Sequence, residues 1–165
     1  MIVGDQSGFA ILFEISDEVD DWVLGRFGLC FSGRVIGNYD DASVDLQSCF
    51  YWLDELIGRK DAMYEPGLYE LSDGEVFRRV ADPVFCDGLD EYYEGSYSRF
   101  HFSHIGMSSF DDVVLLIVYD GVDNLRFIWR EGGGDIISGV VGCAYFSDLV
   151  RESLGLFKSS CLKGP

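Results

Sequence analysis

Apolar residues gather along the chain in short runs between polar breaks, and the period of each run names its element. Phe9 to Ile15 is nearly continuous and rich in β-formers, with Gly8 before it and Ser16-Asp17-Glu18 after it, which marks a buried strand. Arg26 to Ser32 alternates Phe27, Leu29 and Phe31 with Arg26, Gly28, Cys30 and Ser32, so a second strand offers one large apolar face. The two are expected to pair antiparallel. Gly33 permits a tight turn into a short strand, Arg34 to Ile36, and Asn38-Tyr39-Asp40-Asp41 ends the segment. Ser43 is the expected N-cap of a first long helix, with Asp45 in its first turn. Leu46, Cys49, Phe50, Leu53, Leu56 and Ile57 recur there at helical spacing, and Gly58-Arg59-Lys60 closes it. Its opposite face carries Asp45, Gln47, Ser48, Asp54 and Glu55, as an amphipathic helix laid on a sheet requires.

Ser72-Asp73-Gly74-Glu75 admits a capping box or a hairpin turn. A short helix over Asp73 to Ala81 is favoured, because Val76, Phe77 and Val80 then share a side and Pro83 supplies the stop. From Asp82 to Ser98 no period persists, and this stretch is expected to be a long surface loop. Tyr97 to Ser103 alternates as a strand with Phe100 and Phe102 on one face. Val113 to Tyr119 and Leu125 to Trp129 flank the turn Asp120 to Asn124 as a hairpin, and Gly132 to Gly134 forms a flexible loop. Ile136 to Ala144 is a last strand, and Phe146 to Phe157 a second long helix. The order, with hairpin-length links and no βαβ rhythm, predicts an α+β fold: a mainly antiparallel sheet with two longer helices packed on one side and one short helix. Residues 1–157 are expected to form a single globular domain, and 158–165 a frayed tail.

Composition adds a partner to this picture. Apolar residues make up 48% of the 165, enough for a real core, yet 29 Asp and Glu against 12 Lys and Arg leave a formal charge of -17. The acidity therefore belongs to a folded surface. Such a field repels nucleic acid and anionic lipid and steers basic partners inward; plain solubility is the competing explanation. Met1 to Gln6 has no basic residue and Asp5 interrupts its short apolar stretch, so no secretory signal is expected. Val113 to Tyr119, the longest apolar run, is far below the roughly 18 residues of a membrane span, and a cytoplasmic location is expected. The five cysteines, Cys30, Cys49, Cys86, Cys143 and Cys161, are odd in number and form no CxxC pair, which suggests reduced thiols.

Catalytic and cofactor chemistry finds little support. His101 and His104, three apart on an expected strand and its end, point to opposite faces, and no third ligand stands near them, so no metal is expected. Adjacent acids such as Asp17-Glu18, Asp20-Asp21, Asp40-Asp41 and Asp111-Asp112 read as solvated surface groups. Gly132 to Gly134 is not followed by Lys-Ser or Lys-Thr and fits no phosphate loop, so no cofactor is expected. What remains is recognition. Asp87, Asp90, Glu91, Tyr92, Tyr93, Glu94 and Tyr97 combine carboxylates with tyrosines, which supply contact area at low entropy cost, and they are the candidate partner-binding residues. The alternative is a solvated loop whose tyrosines tuck back on the sheet.

Met1-Ile2-Val3-Gly4-Asp5, Phe9-Ala10-Ile11 and Phe13-Glu14 resemble the opening of the immunity protein 42 family of bacterial polymorphic toxin systems. Further matches in type and order are Val76-Phe77 running to Pro83, Val113 to Tyr119 with Asp120-Gly121, Arg126-Phe127-Ile128-Trp129, and a last strand running into Tyr145 and a helix. The resemblance implies an α+β protein made beside a toxin gene, which binds the toxin domain and blocks it in the producing cell or a sibling. It brings no catalytic residues. The expected function is thus an immunity protein that binds and neutralises a cognate toxin domain, basic in character and with a nuclease as a candidate class, by acidic surface complementarity. Two rivals are an effector-specific secretion chaperone and a carboxylate-dependent hydrolase that reverses toxin damage.

Overall fold

The computed structural model describes residues 1–82, 97–103 and 106–161. In chain order it places β1 (Ile2–Gly4), β2 (Phe9–Val19), β3 (Trp22–Phe31), β4 (Arg34–Ile36), β5 (Val44–Asp45) and α1 (Leu46–Gly58). After a 3-10 turn at Lys60–Met63 come α2 (Asp73–Val80), a second 3-10 turn at Ser108–Phe110, β6 (Val113–Tyr119), β7 (Asn124–Glu131), β8 (Ile137–Gly142) and α3 (Cys143–Cys161). The class is α+β with antiparallel pairing. The strands fall into two sheets where one was expected, because periodicity identifies strands but not their partners. Two compact units result: one from Met1–Gly58, His104–Asp112 and Cys143–Pro165, the other from Arg59–Ser103 and Val113–Gly142.

In the first unit the sheet order is β1-β2-β3-β4, with β5 pairing the free part of β3. Phe9 faces Phe31, Ile11 faces Leu29 and Phe13 faces Phe27 across the β2–β3 ladder, so all six share one face. On that face α1 and α3 lay down Phe50, Phe146 and Phe157. The Phe13 and Phe50 rings meet edge-on at 5.0 Å, while Phe9 and Phe146 at 5.8 Å and Phe50 and Phe157 at 4.7 Å are tilted pairs. Each buried phenylalanine contributes roughly 2–3 kcal/mol by area removed from water. The opposite face is small, with Ala10, Leu12 and Cys30 covered by Tyr39.

Three local expectations change here. The β2–β3 hairpin runs on through Ser16-Asp17-Glu18, which were expected to end the strand. After a bulge between Ile15 and Asp17 the pairing continues to Val19 opposite Trp22. These residues are exposed on both faces, so no apolar alternation signals them. Asp45, not Ser43, caps α1: its Oδ1 accepts from the backbone N–H groups of Gln47 at 3.0 Å and Ser48 at 3.3 Å. Val44 is drawn into the sheet opposite Gly25, which moves the helix start two residues on, while the Ser43 hydroxyl donates to Asp41 at 2.6 Å. At the other end α3 begins at Cys143, directly after β8, and continues past Lys158 to Cys161, with the Ser159 and Ser160 hydroxyls donating to the Leu156 carbonyl.

The second unit holds β6-β7-β8 and α2. The capping box is formed: the Ser72 N–H donates to Glu75 Oε2 at 3.0 Å and the Glu75 N–H to Ser72 Oγ at 3.4 Å, which decides for the helix. Arg126 fastens the approach to α2, donating to the Tyr69 and Leu71 carbonyls at 2.7 Å each and pairing with Asp73. Asp120 organises the β6–β7 turn by accepting from the N–H groups of Val122, Asp123 and Asn124. The expected strand over Tyr97 to Ser103 is not formed. Residues 97–100 are helical, and the His101 N–H donates to the Tyr97 carbonyl at 2.9 Å. Only a bridge from His101 to Leu116 and a bond from the Phe102 N–H to the Leu115 carbonyl join this segment to β6. Phe100 and Phe102 are still both buried, through a turn rather than through strand alternation.

Candidate partner-binding surface

Of the acidic and tyrosine residues singled out in the sequence, Asp87, Asp90, Glu91, Tyr92, Tyr93 and Glu94 lie outside the described residues. Tyr97 is described and half-buried. Its ring stacks on His101 with centroids 4.6 Å apart, and burial pushes its phenol up to about 12. The same packing takes His101 out of water: its Nε2 lies 3.1 Å from Ser103 Oγ, and burial lowers its pKa to about 4, so the ring is neutral at pH 7. His104 is outside the described residues. Among the described residues no three His, Cys, Asp or Glu side chains are placed to hold a metal ion, and no helix is long and apolar enough to cross a membrane. Among the described residues no disulfide joins Cys30, Cys49, Cys143 or Cys161.

A second surface, outside the candidate residues named from the sequence, is assembled in the first unit. The β2–β3 arm turns at Asp20, whose φ of 54° lies in the left-handed region that aspartate tolerates better than most residues. Asp17, Glu18, Asp20 and Asp21 are all exposed around this turn, and Trp22 beside them is 57% exposed. On α1 the same helical geometry that buries Leu46, Cys49, Phe50 and Leu53 turns Tyr51 outward, leaving it 72% exposed next to Asp54 and Glu55.

Between arm and helix lies a recess of about 420 Å³, walled by Trp22 and Tyr51 and carrying Asp21 and Asp45. Asp45 is buried with only 7% exposed, held by the cap bonds and by the Ser48 hydroxyl. The recess shares Gln47 and Tyr51 with a larger open groove of about 620 Å³ that runs between α1 and α3 over Phe50, Leu154 and Phe157. Lys158 and Cys161 stand at the α3 side of that groove. Burial raises the Cys161 thiol pKa, and the Glu18 carboxylate raises it further. The arrangement offers two exposed aromatic side chains, an apolar trough and carboxylates in the lining. The sequence did carry a signal for it: Tyr51 falls on the polar side of an otherwise amphipathic helix, and Asp20-Asp21 separates two β-formers by a hairpin's length.

No curated protein matches the sequence. Among solved structures, a crystal structure of CdiI from Burkholderia dolosa AUO158 superposes with a TM-score of 0.68 over 94% of this chain and 99% of that one, at 16% identity. At that identity the likeness establishes a common fold. A family model described as immunity protein 42 matches residues 1–154, nearly the whole length, and runs through the same strands and helices that form both units. The chain belongs to the immunity protein 42 family, and its work is to neutralise a toxin.

Proposed function

We propose that the chain protects its cell by forming a stoichiometric complex with a cognate toxin domain of basic character, and not by turnover. The observation that carries this reading is a charge of -17 on a folded frame of the immunity family. Opposed potentials raise association rates by orders of magnitude and hold register, which suits an inhibitor that must capture its toxin before damage is done. A nuclease is the favoured target class, because an enzyme that binds phosphate backbones needs a positive cleft that carboxylates can cover. Action in the cytoplasm of the producing cell follows from that target. Asp87, Asp90, Glu91, Tyr92, Tyr93 and Glu94 are proposed as contacts, with Tyr97 seated on His101 at the end of their segment. The chemistry of the described groups supports binding over catalysis. Burial keeps His101 from acting as an acid near neutrality, and Asp120 is committed to its turn.

Co-expression with the toxin domain encoded beside this gene tests the reading. Survival together with a complex that co-purifies in low salt and weakens in high salt is the expected result. Survival without a complex would replace it with an activity that reverses damage, and loss of protection with no complex would overturn it.

A further inference from the structure

We infer that the face made by the β2–β3 arm, α1 and the C-terminal half of α3 is a docking surface for a basic segment of the toxin. An arginine or lysine enters the recess between Trp22 and Tyr51, and a neighbouring apolar side chain fills the groove over Phe50, Leu154 and Phe157. This rests on the proposal that immunity is exerted by binding, and it assigns a surface which that proposal leaves open.

Three features select this occupant. First, Trp22 and Tyr51 are 57% and 72% exposed, so they do little for the fold, while tryptophan and tyrosine in a concave setting are the side chains that most often dominate binding energy. Second, the recess lining carries Asp21 and Asp45 and, among the described residues, no basic side chain. A guanidinium in this recess would meet two aromatic side chains and two carboxylates in the lining. Lys158 lies along the groove, where an apolar partner group is expected, and is not part of the recess lining. Third, Asp21 and Asp54 in the two linings and the exposed Glu18 and Asp20 on the arm exclude the other occupants. A second copy would bring the same carboxylates against themselves, and an anionic lipid surface would be repelled.

The experiment measures binding of the purified, catalytically inactivated toxin domain to the full chain by biolayer interferometry, with cell protection read in parallel. Trp22→Ala with Tyr51→Ala is expected to weaken binding at least about 30-fold, mostly through dissociation. Asp21→Lys with Asp54→Lys is expected to weaken it at least about tenfold, mostly through association. Asp111→Lys with Asp112→Lys, an equal charge change at exposed positions on a different loop, should alter it by no more than about threefold. Tyr51→Ala alone, at the most exposed aromatic of the face, gives a readout even where the double variant folds poorly. If the unaltered chain binds and the face variants stay within threefold of it, the docking surface is wrong and the immunity reading stands. Equal losses in the Asp111/Asp112 control would reduce the effect to general charge attraction and overturn the assignment. An unaltered chain that does not bind takes down both.

Discussion

A methyl group added at Gly25 would have nowhere to go. β3 passes this residue between Ile15 of β2, at the bulge, and Val44 of β5. A Cβ there stands 2.0 Å from the Glu14 carbonyl oxygen, 3.0 Å from its carbon and 2.6 Å from Leu46 Cδ1. Leu46 can change rotamer, but the Glu14 oxygen is backbone and moves only if β2 and β3 part by about 1 Å. Overpacking of that size costs about 1–3 kcal/mol, and each ladder bond lost in a buried setting costs about 1 kcal/mol or more. Gly25→Ala should therefore lose about 4 kcal/mol, a large share of the 5–15 kcal/mol typical of a domain. The same change at Gly155, inside α3 with nothing within 4 Å, should instead gain about 0.5–1 kcal/mol from helix propensity. Urea titrations followed by far-UV circular dichroism read both. With a slope of about 2 kcal/mol per molar, the Gly25 midpoint should fall by about 2 M and the Gly155 midpoint rise by about 0.3–0.5 M. A Gly25→Ala midpoint within about 0.5 M of the parent would refute the packing argument. The outcome also bears on the docking face, since this contact is where the acidic arm leaves the sheet.

His101 has a folded-state pKa of about 4 against 6.5 when exposed, so between those values the unfolded chain takes up a proton that the folded chain refuses. Stability should fall as pH drops from 6.5 to 4, by up to roughly 3 kcal/mol, and His101→Gln should flatten that limb of a midpoint-versus-pH curve. An unchanged slope would show that the ring is not the titrating group. Arg126→Met removes a guanidinium whose side chain is 13% exposed, strands the Tyr69 and Leu71 carbonyls and unpairs Asp73. A loss of about 2–3 kcal/mol is expected by denaturant titration. Arg126→Lys should not restore it, because an ammonium lacks the planar fork that reaches both carbonyls. Ser72→Ala opens the capping box of α2 and should cost about 1 kcal/mol, with Ser72→Asp retaining most of the stability in the same assay.

What the sequence disclosed depended on whether a residue's neighbours in space were also its neighbours in the chain. The capping box at Ser72 and Glu75 and the Asp120 turn are local hydrogen-bond patterns, and both formed as read. Phe9 to Phe13 and Val113 to Tyr119 declared themselves as strands because both faces are buried. Val44–Asp45 is different: its two strand residues exist only because Leu24 and Gly25 lie alongside, some twenty residues back, and that pairing displaced the helix cap from Ser43 to Asp45. Tyr97 to Ser103 failed for the opposite reason. Phe100 and Phe102 have strand spacing, but the bond from His101 back to Tyr97 closes a helical turn first. The acidic arm was missed because a strand solvated on both faces has no apolar alternation to read. Trp22 was missed with it, whereas Tyr51 was legible in the helical spacing, which puts it on the polar side of α1.

The same division between buried and exposed positions explains how one family frame can serve an inhibitor that must recognise a particular toxin. Of the residues that carry the family resemblance, Phe9, Phe13, Val76, Phe77, Phe127 and Trp129 are buried, and truncating a buried phenylalanine or tryptophan costs about 3–5 kcal/mol. They can change little without loss of the fold. Trp22, Tyr51, Asp21 and Asp54 stand on backbone fixed by that core yet are themselves exposed, where substitution usually changes stability by less than about 0.5 kcal/mol. Partner choice written in such residues can be altered without endangering the scaffold. The rigid strand pairing and helix packing beneath them keep the anchors in place before the partner arrives, so less ordering cost falls on the encounter itself.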